Sequence, residues 1–178
     1  MAIPPGTHRL GSGNATLAVH TKRTGAAAKA GHDLVMHVTS WEATLELAEE
    51  PESTSMELDA DATSLRVQKG TGGIQALGDE DKASIHQTID DEVLKRHDII
   101  FRSSSVQEAA GGLLRVAGDL TIVNTSHPVE FDLSLADDGT LAATAVVRQS
   151  VWGMKPYSAL FGALKVHDDV EVALDGRL

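Results

Sequence analysis

The sequence contains no cysteine. That excludes disulfides, thiolate nucleophiles and thiolate-ligated metals together, and it leaves the redox compartment open. Aromatic residues make up only 3% of the chain, so a core has to be built from Ala, Val, Leu and Ile. Basic residues are in deficit: 15 Lys and Arg stand against 26 Asp and Glu, a formal charge of −11. A surface of that sign repels phosphate backbones and anionic membranes, so neither nucleic-acid binding nor stable membrane insertion is expected. No stretch approaches the ~18 consecutive apolar residues of a spanning helix. The opening MAIPPGTHRLGSGNA also lacks the basic segment and apolar run of a secretory signal. The expected location is cytoplasmic.

What the sequence does have is length and alternation. Its 178 residues fit one domain, 1–178, large enough to bury roughly two-thirds of the unfolded surface without cross-links. In 113–123, Leu114, Val116, Gly118, Leu120 and Ile122 alternate with Arg115, Asp119 and Thr121, the period-two pattern of a strand with one face buried. Val129, Phe131, Leu133 and Leu135 repeat it after the turn-like VNTSHP, and Leu141, Ala143, Ala145 and Val147 repeat it after Asp137-Asp138-Gly139. A last strand carries Leu164, Val166, Val170, Val172 and Leu174, with Asp168 out of step in the manner of a bulge. Residues 14–20 and 34–48 also read as strands. The apolar parity switches between Met56, Leu58, Ala60, Ala62 and Leu65, Val67, which predicts a bend near Thr63-Ser64. Only 80–95 reads as helix, with Ile85, Ile89 and Val93 on one stripe and acids in the first turn; 24–30 could add a short second one. About eight strands without a βαβ rhythm predict an all-β fold, an antiparallel barrel with one or two short helices.

Motifs for chemistry are sparse. AGHDLVMHVTSW, 30–41, holds His32 and His37, which an unbroken strand points to opposite faces, so they cannot share one metal. His37 shares parity with Trp41, Leu45 and Leu47 and is expected to face inward, as a backbone hydrogen-bonding imidazole or as a polar contact or proton carrier for a ligand. The other histidines show neither HxH nor HExxH spacing, so no metal site is expected. His86 and Asp90, four residues apart, read as an exposed helix ion pair. GTGGIQALGDED, 70–81, misses the dinucleotide spacing and places acids where a pyrophosphate would bind, so it reads as a flexible loop and no cofactor is expected. The functional signal lies in shape instead. An eight-stranded barrel is either filled by its side chains or holds one slender ligand, and inward candidates such as Ala60, Ala62, Gly118, Ala143 and Ala145 are small.

AGHDL (30–34), HDIIFRSSSV (97–106), VAGDLTIVNTSHPVEF (116–131), RQSVWGM and the terminal DDVEVAL together resemble the YceI-like family of lipocalin-like, polyisoprenoid-binding barrels. The most specific piece is Gly118, Leu120, Thr121, Ile122, a turn, then Pro128-Val129; Trp152-Gly153 stands where relatives carry Phe or Tyr before Gly. The resemblance implies a barrel whose apolar tunnel takes an isoprenoid or other lipid chain without catalysis, and it admits a homodimer. Strand parity and the aromatic-rich SVWGMKPYSALFG nominate Trp41, Met56, Leu58, Phe101, Leu120, Ile122, Phe131, Leu133, Val147, Trp152, Tyr157 and Phe161 as lining or capping residues. Two alternatives stay open: an isomerase or cyclase using His37 or Tyr157 for proton transfer, and a stress-response or interaction module with a filled lumen.

Overall fold

The computed structural model describes residues 3–178. Its strands are β1 (Gly6–Gly11), β2 (Ala15–Thr21), β3 (Arg23–Thr24), β4 (His32–Val38), β5 (Trp41–Leu47), β6 (Ser55–Ala60) and β7 (Leu65–Gly72). After the helix α1 (Asp79–Thr88) come β8 (Ile99–Ala109), β9 (Leu113–Ile122), β10 (Thr125–Leu135), β11 (Thr140–Arg148), β12 (Ser158–Ala159), β13 (Leu164–Val166) and β14 (Asp169–Arg177). All pairings are antiparallel. The main sheet runs β1-β5-β6-β8-β9-β10-β11-β14-β2-β4-β7, and β12-β13-β3 form a small second sheet.

Written as straight segments, that order has two ends, but the chain joins them. β1–β2, β4–β5 and β6–β7 are each one long strand bent near its middle, and the three run side by side on both sides of their bends. Counting each bent pair once, three long strands plus β8, β9, β10, β11 and β14 give eight, and β14 closes on β2. The result is an up-and-down barrel with the chain's own order preserved around the ring; its sheet has 11 strands against the expected eight or so, because three long strands are each divided at a bend.

The bends are stitched by side chains. At the β6–β7 corner the Asp61 carboxylate accepts from the Thr63 amide at 2.8 Å and hydroxyl at 2.7 Å, and these bonds hold its pKa below the ordinary carboxylate value. Across the corner, the Thr39 amide donates to the Ser64 carbonyl and the Asp61 amide to the Ser40 carbonyl. The predicted bend at Thr63-Ser64 is therefore present. Its counterpart at Thr39-Ser40 was not expected, and it overturns one reading: inward parity passes from Met36 and Val38 to Trp41, Ala43 and Leu45, so His37 points outward.

Elsewhere the alternation holds with small shifts. The turn after β9 is tighter than VNTSHP suggested: Val123 and Asn124 take positive φ, and Pro128 lies within β10 opposite Asp119. The last strand breaks between Val166 and Asp169, where the Asp168 carboxylate accepts from the Ser150 amide at 2.8 Å. Helix α1 continues as a wide π-type turn over Ile89–Val93, and the 24–30 stretch contributes one 3-10 turn, Ala28–Ala30. α1 packs on the edge of β7 that has no further strand neighbour, and so covers the gap between β7 and β8.

Candidate functional site: an apolar blind cavity

The two ends of the barrel differ. At one end Leu45, Val106, Val116, Leu133 and Leu141 interdigitate with at most 1% exposure, and the lumen there is solid. Above them Leu17, Met36, Val38, Met56, Phe101, Phe131, Ala143 and Leu174 surround an open space of about 450 Å³, within the range of small-molecule pockets. Its upper wall is made by α1 through Ser84, Ile85, Thr88 and Ile89 on one side, and by Tyr157, Leu164, Lys165 and Val166 of the small sheet on the other. The cavity is therefore a tube closed at the Leu133 end, with its rim between α1 and the small sheet.

Burial separates lining from packing. Inward side chains such as Leu34, Leu58, Leu120, Phe131 and Val172 remain half-buried, although they sit inside a barrel. They pack against the core on one side and face the cavity on the other. Phe101 and Phe131 meet across one wall with ring centroids 5.5 Å apart, tilted by 54°, a favourable arrangement for aromatic quadrupoles.

Of the residues nominated from sequence, Met56, Leu58, Phe101, Leu120, Ile122, Phe131, Val147 and Tyr157 line this cavity. The other four lie elsewhere. Leu133 belongs to the packed floor at 0% exposure. Trp41 is buried in the main core, off the cavity, beside a shallow polar groove with Glu42, Asp59 and Asp98. Trp152 sits behind the wall: its indole donates to the Leu120 carbonyl at 2.8 Å, and it packs in a second cluster with Ile122, Val147 and Met154. Phe161 is fully exposed at the tip of the β12–β13 hairpin, at 112% of the reference area.

The lining is mostly apolar, with polar side chains from Thr21, Arg23, His32, Asp61, Ser84, Thr88, Thr144, Gln149, Tyr157 and Lys165. The Arg23 guanidinium is held by the Gly31 carbonyl and by Asp33, 3.9 Å from its Nε. It occupies space that a side chain at Gly72 would fill. His32 Nε2 meets the Gln75 carbonyl at 2.7 Å, which packs the 73–77 loop onto the rim. Lower down, the buried Thr21 hydroxyl lines the cavity and has no hydrogen-bond partner among the described residues. His37, on the outer face of β4, is remote from all of these. Among the described residues no group of three or more His, Asp or Glu is placed to hold a metal, and no helix is long and apolar enough to cross a membrane.

Sequence reasoning missed the contribution of α1 and of Arg23. Helical spacing puts Ile85 and Ile89 on one buried stripe, but spacing carries no sign that the stripe faces an open lumen.

Comparison with known proteins agrees with this geometry. Residues 15–178 match the model of the YceI-like domain. Among solved structures, BcnA of Burkholderia cenocepacia superposes with a TM-score of 0.66 at 14% identity, covering 90% of this chain and 94% of that one. A mutant CJ YceI protein with a monobromobimane guest gives a TM-score of 0.56 at 12% identity, covering 80% and 82%. A search of curated proteins finds no match.

Proposed function

The chain belongs to the YceI-like domain family, and from that premise we propose that it carries or sequesters one long apolar molecule, a polyisoprenoid or other lipid chain, inside the barrel. The observation that carries this reading is the contrast within one lumen: the Leu133 end is packed solid, while the mostly apolar walls above it surround about 450 Å³ that no side chain among the described residues fills. A protein gains nothing in stability from an unfilled apolar cavity, because lining atoms lose dispersion partners on one side. A chain-like guest supplies them. Burying about twenty methylene-sized groups at ~0.8 kcal/mol each contributes on the order of 16 kcal/mol gross. Association and ordering cost about 4–15 kcal/mol, so useful affinity remains without any catalytic or metal group.

The closed floor sets polarity of entry. The apolar end goes in first, and the polar end stays at the rim, where Arg23, His32, Tyr157 and Lys165 are among the polar side chains.

Native mass spectrometry of the purified protein, followed by solvent extraction, tests the proposal. The expected result is one bound single-chain lipid per barrel, or stoichiometric uptake of the apolar fluorophore N-phenyl-1-naphthylamine by ligand-free protein, lost when the extracted lipid is added back. A barrel that is empty as purified and that takes up no fluorophore overturns it.

A further inference from the structure

The net charge of −11 is unevenly placed. The rim on the small-sheet side is built from 22–32 and 149–167. These segments contain Lys22, Arg23, Lys29, Lys155 and Lys165 and not one of the chain's 26 acids. The acids that flank these segments are engaged: Asp33 pairs with Lys22 and Arg23, Asp168 accepts from the Ser150 amide and hydroxyl, and Asp169 pairs with Arg148. Lys29, Lys155 and Lys165 are exposed and make no ion pair among the described residues. The acids of α1 lie across the mouth: α1 links β7 to β8, whereas the small sheet extends β2, β11 and β14, roughly half a turn around the ring.

Out of the same basic rim project large apolar side chains. Phe161 is fully exposed, Leu160 is 57% and Tyr157 46% exposed. The chain holds Leu160 and Phe161 at φ 52° and 56°, a left-handed conformation that bulky residues seldom adopt and that costs folding energy. Ile74, 81% exposed, tops the adjacent 73–77 loop, which packs on Arg23 and His32 through Gly72 and Gly73. Exposed apolar tips on the same segments as unpaired lysines, at the mouth of an apolar tube, complement one kind of surface: an interface with an oily interior and anionic headgroups. Screening over about 8 Å at physiological salt makes the local lysines, not the distant acids, decide the approach.

We propose that this rim is a docking surface for anionic lipid bilayers, with Phe161 and Leu160 entering the headgroup region and Lys29, Lys155 and Lys165 facing the charged lipids. Docked this way, the mouth opens directly onto the membrane. This goes beyond the carrier reading and is measured without any guest in the lumen, so either can fail while the other stands.

Flotation of ligand-free protein with vesicles tests it. The protein should float with vesicles of phosphatidylcholine mixed with phosphatidylglycerol, stay behind with phosphatidylcholine alone, and be released by high salt. K29Q/K155Q should weaken partitioning by about fivefold per lysine, the factor equivalent to the ~1 kcal/mol each such charge contributes at an anionic surface. Phe161→Asn, which suits the left-handed backbone and so preserves the fold, should weaken it as well. Phe161→Trp should show an indole emission that shifts to the blue on binding. Unchanged naphthylamine uptake and melting temperature in these variants show that lumen and fold are intact. Absence of flotation on the anionic vesicles overturns the proposal, as does flotation that neither the lysine nor the Phe161 variants reduce, or an indole that stays in water.

Discussion

The Nε2 of His86 accepts the backbone N–H of Val67 at 3.0 Å, so an imidazole on the helix completes the hydrogen bonding of a strand edge. Only the neutral ring can accept that bond. Burial holds the His86 pKa below its ordinary 6.5; Arg66 and Lys82 reinforce the shift and Asp90 opposes it. With the folded-state value lowered, the unfolded chain binds the proton first as pH falls. The bond's contribution is whole above about 6.5 and is lost as pH drops through the folded-state value. The melting temperature of the wild type should therefore fall faster on acidification than that of His86→Gln, whose amide does not titrate, and the protection of the Val67 amide, relative to its intrinsic exchange rate at each pH, should fall in step. Parallel melting curves across this window would refute the coupling.

Gly118 is required by close approach. A Cβ there would lie 2.3 Å from the Arg102 carbonyl oxygen and 2.8 Å from Cε2 of Phe101, beside the register slip between Ser103 and Ser105. Gly118→Ala has to move backbone as well as ring. It should destabilise the protein by about 1–3 kcal/mol, the usual cost of overpacking, and push Phe101 toward the cavity. Urea unfolding within about 0.5 kcal/mol of the wild type would show that the strand yields without strain.

These residues show which features a sequence can carry. Alternation in β9, β10 and β11 was legible because one face of each is buried, and the bend in β6–β7 was legible because its apolar parity switches within Met56–Val67. The matching bend at Thr39-Ser40 has no Gly or Pro to mark it, and His37 shares parity with Trp41 only if the strand is unbroken. Height along the barrel was not legible at all. Parity places Leu133 and Phe131 on the same inner face, but strand tilt decides that one seals the floor and the other lines the cavity. His86 read as a partner for Asp90 because helix spacing is local, whereas its acceptor role depends on a strand 19 residues away in the chain. Phe161 points outward because of two left-handed residues in a row, which no periodicity announces.

Thr21 carries a cost that a single substitution removes. Its hydroxyl is buried against a mostly apolar lumen without a partner among the described residues, and Val has nearly the same shape without the oxygen. Thr21→Val should stabilise the ligand-free barrel by about 1 kcal/mol, the lower range for relieving an unpaired buried hydroxyl. It should not weaken uptake of the naphthylamine probe. A loss of stability of similar size in urea melts would show that the hydroxyl is in fact satisfied.

Filling the tube separates packing from binding. Ala143 and Ala145 sit in β11, facing the open part of the lumen, and a side chain extended from Ala145 enters the cavity without crossing the packed floor. Ala145→Phe should project into the 450 Å³ space, narrow the path of a guest and add aromatic contact to the facing wall. Large residues usually destabilise a core because no room exists; here room exists, so stability should hold or rise by about 1 kcal/mol. Guest uptake should fall by tenfold or more, with vesicle flotation unaffected because the rim is untouched. The readouts are a urea melt and a naphthylamine titration on the same preparation. A variant that is strongly destabilised would mean the space is already filled by its own walls in solution. One that keeps full uptake would mean the guest binds elsewhere, and either result would remove the lumen from the account of function.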